Sequence, residues 1–386
     1  MKKKGLLLIA NWDSNVGYAW WLMESFWVVL SEAYNSNHHT YLCYPSISIV
    51  PKNIAISNII PCTADFTKKD ISSVLRQCSF IIKNQITCIY FTDQPYWHWK
   101  YILYRICGVS IIVNHDHTPG LRTDSKGLKK ITKSIITRIP LLSCNAIIAV
   151  SSFIKERAIS VACFPRKRVF IAQNGIPPRL ISTAVDIKSI FNIKKNTKVM
   201  ITTGRADKYK GIDFAIKCMS HLVNTLKYKN IHWVFCGDGP DLDEFKHNVI
   251  QYGLSDYITL AGKRNDIDKI LSSCDFSLHP SHGEVGYSLS ILEYMQAGLP
   301  VITSDNPSVC AATTNDVTGL IYNEDDIPSA CNAIRKMLDN PHLIKKYGLN
   351  AKQEINNYML EDTHKQLILA MKKIDRTLSS EWLKHV

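Results

Sequence analysis

Short runs of apolar, β-favouring residues recur along the chain, each followed by turn residues and then by a stretch of helical periodicity. One set is Leu6–Ala10, Cys88–Thr92, Ser110–Asn114, Ala146–Val150 and Val169–Ala172. A second set is Val199–Thr203, His232–Cys236, Ile258–Ala261, Phe276–His279 and Val301–Thr303. These runs are apolar at successive positions rather than at alternate ones, the pattern of parallel strands covered by helices on both faces. Their alternation with helical stretches predicts an α/β chain. An irregular segment from Ile176 to Thr197, opened by Pro177-Pro178 and closed by Lys194-Lys195, separates the two sets. The expected organisation is two Rossmann-like doubly wound domains facing across a cleft, over residues 1–178 and 179–365. A C-terminal helix over 366–386 is placed to pack back on the first domain.

Composition narrows the class. The 386 residues are 46% hydrophobic and 20% charged, ordinary for a globular protein. Met1-Lys2-Lys3-Lys4 followed by Gly5 to Ala10 imitates a secretion signal, but the apolar run is short and no small-residue cleavage site follows. No apolar stretch is long enough to span a bilayer. The expected location is the cytoplasm, or the periphery of the inner face of the cytoplasmic membrane. The 12 cysteines include no C-x-x-C pair, which suits a reducing compartment and argues against a disulfide framework or a zinc site. The net charge of +13 favours anionic partners: phosphorylated sugars, lipid headgroups or nucleic acid. No nucleic-acid-binding motif accompanies it, so no specific nucleic acid is expected.

Because ligands of such sheets bind outside the carboxyl ends of the strands, the loops that follow the strands carry the candidate chemistry. Thr203 to Gly211 joins a strand to a helix, with Gly204 allowing close backbone approach and Arg205 and Lys210 supplying two cations at one strand end. A diphosphate whose charge rises as its sugar leaves needs that arrangement; a solvated basic loop is the plain alternative. Cys236-Gly237-Asp238-Gly239-Pro240 makes a tight turn that lines a nucleotide pocket or serves as a turn alone. Pro280 to Glu293 opens a helix. Gly286 frees the loop, the amides of Tyr287, Ser288 and Leu289 fall at a helix N-terminus able to attract an anion, and Glu284 and Glu293 offer carboxylates to sugar and ribose hydroxyls. Glu284 as a capping acid and Glu293 as a surface residue is the plain reading.

The order G-R-x4-K-G, G-D-G-P and P-S-x-x-E-x-G-Y-S-L-x-x-L-E-x-M-x-A-G-x-P-V, from about Val199 to Val301, resembles the donor domain of retaining GT-B-fold glycosyltransferases of the family-four (group 1) type. Asp275, Gln173-Asn174-Gly175-Ile176 and Ala149-Val150-Ser151-Ser152 extend the match. The resemblance implies that Arg205 and Lys210 bind the donor diphosphate, that Glu293 binds the ribose, and that Glu284 lies near the donor sugar. It implies that residues 179–365 bind the nucleotide-sugar donor, with Gly204, Gly237 and the Gly286 to Leu289 amides lining that site, and that residues 1–178 bind the acceptor. It also implies a reaction that retains configuration with neither metal nor cofactor, the departing phosphate helping to deprotonate the acceptor. One departure stands out. The family spaces its two glutamates one residue closer, which puts Val285 rather than Glu284 at the acidic position unless the loop bulges.

In the first half, Asn11 to Tyr18 contains one glycine, Gly17, where the family has a Gly-Gly turn, and is expected to face the donor. His115-Asp116 resembles a His-Asp pair at the family's reaction centre, so His115 is a candidate catalytic residue and Asp116 and His117 are candidate acceptor-binding residues. Asp93 to Tyr101 is expected to begin a helix with Asp93 as its N-cap, its aromatics either core or sugar platforms. Lys126, Lys129, Lys130, Lys133 and Arg138 accompany Leu128, Ile131, Ile135 and Ile136 at helical spacing. This is either a solvated basic face over a core stripe or an amphipathic helix held on an anionic membrane surface. The expected function is transfer of a hexosyl or N-acetylhexosaminyl group from a nucleotide-sugar to a saccharide or lipid-linked acceptor in surface polysaccharide, lipopolysaccharide or glycolipid assembly. The alternatives are a nucleotide-sugar epimerase, another GT-B enzyme, or a non-catalytic nucleotide-sugar-binding protein.

Overall fold

A computed structural model describes residues 3–17, 20–178 and 185–376. Contacts divide them into two units. The first holds the residues up to Thr118, Arg122–Gln173, and those from Glu361 on; the second holds Pro119–Leu121 and Asn174–Leu360. Part of the expected linker, 179–184, lies outside the described residues, as do Tyr18 and the last residues of the expected C-terminal helix, 377–386.

The first unit carries β1 (Lys4–Ile9), β2 (His38–Tyr44), β3 (Ile59–Thr63), β4 (Ile86–Thr92), β5 (Ile111–Asp116), β6 (Ala146–Ala149) and β7 (Val169–Ile171). Among the described residues they form one sheet in the order β3-β2-β1-β4-β5-β6-β7, with every pair parallel. The second unit carries β8 (Lys198–Thr203), β9 (Ile231–Cys236), β10 (Ile258–Leu260), β11 (Phe276–His279), β12 (Val301–Ser304) and β13 (Gly319–Tyr322). Their order is β10-β9-β8-β11-β12-β13, again all parallel. All ten sequence-expected strands are present. β2, β3 and β13 are additional; β3 is an edge strand whose partial exposure breaks the continuous apolar run, and β13 is a buried edge strand of four residues. The expectation of two Rossmann-like α/β units therefore holds.

The central strands are buried because helices cover both faces. β9 is buried at every position, and Trp233 on it donates its indole N–H to Thr202 Oγ1 at 3.0 Å. Thr202 in turn donates to the Leu278 carbonyl at 2.6 Å, so the polar atoms of this core layer are paired. Around them pack Phe235, Phe276, Met219, Phe245 and Ile302. Each fully buried Phe, Met or Ile side chain contributes roughly 1.5–3 kcal/mol. In the first unit the helix Leu360–Ile374 is fixed by contacts at both ends: His364 Nε2 lies 3.1 Å from Ser25 Oγ, and Tyr34 donates to Asp375 at 3.1 Å.

Two expectations are corrected. Asp93 caps no helix: it takes a left-handed conformation, φ 52°, at the end of β4, and the helix begins at Lys100. The basic helix, Gly127–Ile136, has no buried residue. Leu128, Ile131 and Ile135 are 75%, 57% and 57% exposed, so its apolar stripe is not a core stripe.

In each sheet the strand order reverses at one point, between β1 and β4 in the first unit and between β8 and β11 in the second. There, connections leave in opposite directions and open a crevice at the carboxyl ends. In the second unit the crevice loops press together through backbone. A Cβ on Gly237 would lie 1.7 Å from the Gly204 carbonyl oxygen, and one on Gly211, at φ +68°, 2.0 Å from that of Pro280. We expect Gly237→Ala to lower the unfolding free energy by roughly 3 kcal/mol or more, an overpacking cost with no flexible neighbour to relieve it. Gly253 has a similar φ, +66°, in open space, so Gly253→Ala should cost only the backbone strain of roughly 1–2 kcal/mol. Urea unfolding of both variants checks the difference.

Candidate active site

The loop after β8 turns at Gly204 and runs through a short 3-10 turn, Lys208–Lys210, capped by the Asp207 carboxylate accepting from the Tyr209 amide. It is held against the loop after β9 by Ala206 N–H donating to Asp238 O at 3.0 Å and Asp241 N–H donating to Ala206 O at 3.1 Å. On its other side, His282 N–H donates to Tyr209 O at 3.1 Å, joining it to the loop after β11. The three strand-end loops singled out in the sequence are therefore one packed surface. Gly204 and Gly237 serve in it as contact points between backbones.

Lys210 and Glu284 meet at the centre. Lys210 Nζ lies 2.5 Å from Glu284 Oε1, with the two side chains 29% and 9% exposed. The same oxygen lies 3.0 Å from His279 Nε2. A carboxylate has no proton to give, so His279 donates from Nε2 and its Nδ1 is left as an acceptor; that atom is buried without a partner. Burial pushes the Glu284 carboxyl up, but the Lys210 charge and the hydrogen bonds from His279 and Lys210 outweigh it and bring it down to about 2. The backbone is fixed as firmly. Glu284 N–H donates to Ser308 Oγ at 3.1 Å, Gly286 N–H to Ser308 O at 2.7 Å, and Gly120 N–H to Glu284 O at 3.0 Å. Ser308 is itself held by Asn306 Oδ1 at 2.7 Å.

Gly286 at φ 96° lets the chain turn into the helix Leu289–Ala297. Its amide donates to the Ser308 carbonyl, so this one of the expected anion-binding amides is committed elsewhere. Ser288 is the N-cap residue and its side chain makes no capping bond. The Tyr287 carbonyl accepts from Asn174 Nδ2 at 3.1 Å, and its ring lies 5.2 Å from that of Tyr358. Glu293 is half-buried on the same helix. Beside it, the Tyr294 hydroxyl accepts from Thr203 N–H at 2.6 Å and ties the helix to the end of β8. Arg205 is exposed and makes no ion pair or side-chain hydrogen bond among the described residues.

The candidate residues of the first unit form a separate cluster. His115 is fully buried on β5, its Nδ1 2.5 Å from Tyr90 Oη and its Nε2 without a partner. His117 lies 4.1 Å away, ring to ring, and its Nε2 is also unpartnered. Burial drives both imidazoles down, His117 to about 3, so both are neutral at pH 7. Asp116 is engaged internally: Arg157 pairs with it at 3.1 Å, Thr118 N–H donates to it at 2.9 Å, and Tyr96 donates to its other oxygen. Burial works to raise its carboxyl, and those partners outweigh it. Asp93, read only as a cap in the sequence, accepts the His117 amide at 2.6 Å. Burial and the nearby Asp116 charge push it up to about 7. Gly17 is exposed, at φ 74°, on the loop after β1.

His279, Ser308, Asn306 and Asp93 escaped the sequence reading. His279 carries the only available signal, a histidine ending an otherwise apolar strand directly before Pro280-Ser281.

Two parallel-sheet Rossmann-like units match the architecture of solved GT-B glycosyltransferase structures. The family model for glycosyl transferases group 1 matches residues 185–354. A UDP-Gal:alpha-D-GlcNAc-diphosphoundecaprenol alpha-1,3-galactosyltransferase of Escherichia coli is 23% identical over 277 residues, 70% of this chain and 71% of that protein. The solved structure of a glycosyltransferase from Rickettsia africae superposes with a TM-score of 0.76 at 14% identity, covering 97% of this chain and 99% of that one. Anabaena HepE in complex with UDP gives 0.72 at 15% identity, covering 96% and 100%. The protein is an enzyme, a glycosyltransferase, whose residues 185–354 match the group 1 glycosyl transferases.

The ion pair makes a pH prediction. Glu284 sits below its ordinary 4.5, so its stabilisation is present above about pH 4.5 and is lost as pH falls toward 2. Urea unfolding of wild type and Glu284→Gln should therefore show a stability gap at pH 7 that narrows steadily below pH 4.5. A gap independent of pH would contradict the assignment.

Proposed function

We propose that the protein transfers a sugar, with retention of configuration, from a nucleotide-diphosphate sugar to a lipid-linked saccharide in the assembly of a surface polysaccharide or glycolipid. The observation that carries this reading is Lys210, beside Arg205 in the loop after β8 and already paired with the buried Glu284. An ammonium has three donors. One engages Glu284, so Lys210 can reach a donor diphosphate while keeping its carboxylate. As the bond from the anomeric carbon to the diphosphate breaks, negative charge grows on the leaving oxygens, and Lys210 and Arg205 bind that state more tightly than the ground state. The acceptor oxygen bonds to the anomeric carbon on the face the diphosphate leaves, and its proton passes to a phosphate oxygen. Glu293 holds the ribose hydroxyls and Glu284 the donor sugar. Two cations meet the diphosphate charge, so this reading calls for no metal or cofactor. HepE, of the same fold, was solved with UDP-glucose, which supports a nucleotide-sugar donor. The acceptors named for the Escherichia coli relative and for a Campylobacter jejuni N-acetylgalactosaminyltransferase are diphospho-undecaprenol-linked, which supports a lipid-linked one.

Work on such an acceptor brings the enzyme to the inner face of the cytoplasmic membrane. The exposed Leu128, Ile131 and Ile135 on a helix carrying Lys126, Lys129 and Lys130 suit that surface: apolar residues enter the headgroup boundary and lysines meet anionic lipids.

Two measurements test the reading. Arg205→Ala and Lys210→Ala should each reduce nucleoside diphosphate release at limiting donor by at least about tenfold, Glu293→Ala should chiefly weaken nucleotide binding, and EDTA should leave the wild-type rate unchanged. Near-normal rates in both cation variants would refute the diphosphate assignment. Sedimentation with phosphatidylglycerol vesicles should fall in a Leu128→Glu, Ile131→Glu double variant; equal recovery of wild type with and without vesicles would refute the membrane role.

A further inference from the structure

His279 closes β11, a strand buried at every position, and pairs in register with Thr303 of β12. Phe276 and Leu278 of the same strand belong to the hydrophobic core, so by alternation Ser277 and His279 lie on the opposite face. There Ser277 donates to the Pro300 carbonyl at 3.2 Å. The imidazole lies 6.3 Å, ring to ring, from Tyr294, whose hydroxyl is bonded to Thr203 at the end of β8. The ring is therefore placed by a strand and a helix, the rigid parts of the unit. Lys210 is placed differently: it reaches Glu284 from a 3-10 turn, on a long side chain that is 29% exposed.

Both donors end on the same atom. Lys210 Nζ and His279 Nε2 lie 2.5 and 3.0 Å from Glu284 Oε1. Glu284 Oε2 accepts no hydrogen bond among the described residues and is not sealed from solvent. The open edge of an otherwise buried carboxylate is therefore Oε2, an acceptor left free beside Lys210. The two donors also differ in what an arriving anion does to them. A diphosphate draws the Lys210 ammonium by charge, and the ammonium is then shared between two anions. An imidazole with a bare Nδ1 has no net charge to be drawn, and its Nε2 proton stays on Oε1. His279 is the contact that keeps Glu284 in place while Lys210 serves the diphosphate.

We propose that His279 is a positioning residue for donor-sugar selection: by holding Glu284 Oε1 from a fixed strand, it presents Oε2 to a sugar hydroxyl. The role rests on the nucleotide-sugar reading for its ligand, and on the Oε1 contact for the part the histidine plays. A carboxylate aimed in one direction rewards a sugar whose hydroxyl meets it. An epimer that directs that hydroxyl elsewhere leaves Oε2 unpaired and is rejected. The extra residue between Glu284 and Glu293 shifts the carboxylate along its loop, and a side chain on the preceding strand gives it back a fixed direction.

The test uses the full chain, calorimetry and nitrogen NMR of the labelled imidazole. The titrants are UDP-, GDP-, ADP- and dTDP-glucose, UDP-galactose, UDP-N-acetylglucosamine and UDP-N-acetylgalactosamine, each beside its nucleoside diphosphate. At least one sugar nucleotide should bind the wild type. His279→Leu should weaken that one about tenfold or more, the loss of a hydrogen bond to a charged group, while its diphosphate keeps its affinity. His279→Gln, whose amide still donates, should restore most of the binding. In a Glu284→Gln background His279→Leu should cost little more, because the histidine acts through that carboxylate. NMR of the free wild type should show a protonated Nε2 and a bare Nδ1. Equal loss of sugar nucleotide and diphosphate in His279→Leu would mark a merely structural residue and overturn the proposal. Unchanged affinity, an undiminished effect in Glu284→Gln, or a proton on Nδ1 in place of Nε2 would overturn it as well. Failure of the wild type to bind any titrant would instead overturn the nucleotide-sugar reading, and the positioning role with it.

Discussion

A carboxylate shut away from water must be paired, and in the second unit that requirement fixes the crevice. Glu284 is buried and meets both Lys210 and His279 through a single oxygen. Removing either the charge or the hydrogen bond would leave an ion in a poorly solvated place, which is far costlier than the pair is stabilising. The pair therefore works as a constraint on position: it holds the loop after β11 to the loop after β8 and sets the Lys210 ammonium at the end of the strands.

The same loops are bonded through their backbones, and the two kinds of contact reinforce one another. Gly237 against Gly204 and Gly211 against Pro280 leave no room for side chains between neighbouring turns, while Asn306 and Ser308 brace the Glu284 segment from the next loop. Groups arranged in this way need little reorganisation when charge develops beside them, the condition under which fixed cations accelerate a reaction. Arg205 is different. It stands exposed, with no ion pair among the described residues.

The first unit shows the opposite electrostatic design. His115 and His117 are kept neutral by burial, and Asp116 is occupied by Arg157, Thr118 and Tyr96. That makes Asp116 a brace for the histidine segment, while Asp93 beside it is held near the pH at which a carboxyl exchanges its proton.

The sequence by itself determined the architecture. Ten apolar runs were strands because both faces of a central parallel strand are covered, so burial leaves a continuous signal. β2 and β3 were not legible because polar or exposed positions interrupt their apolar runs, and β13 offers only three apolar residues after a glycine. Arg205, Lys210 and Glu284 were legible as charged residues at strand ends, and Glu293 as a carboxylate on the helix that follows one. That Glu284 turns inward to Lys210 was not, since an extra residue before Glu293 allows several loop paths and only packing selects one. Ser308 and Asp93 gained their places from partners distant in sequence. Periodicity records whether a residue is covered; which atom covers it is decided only when separate strands are brought side by side.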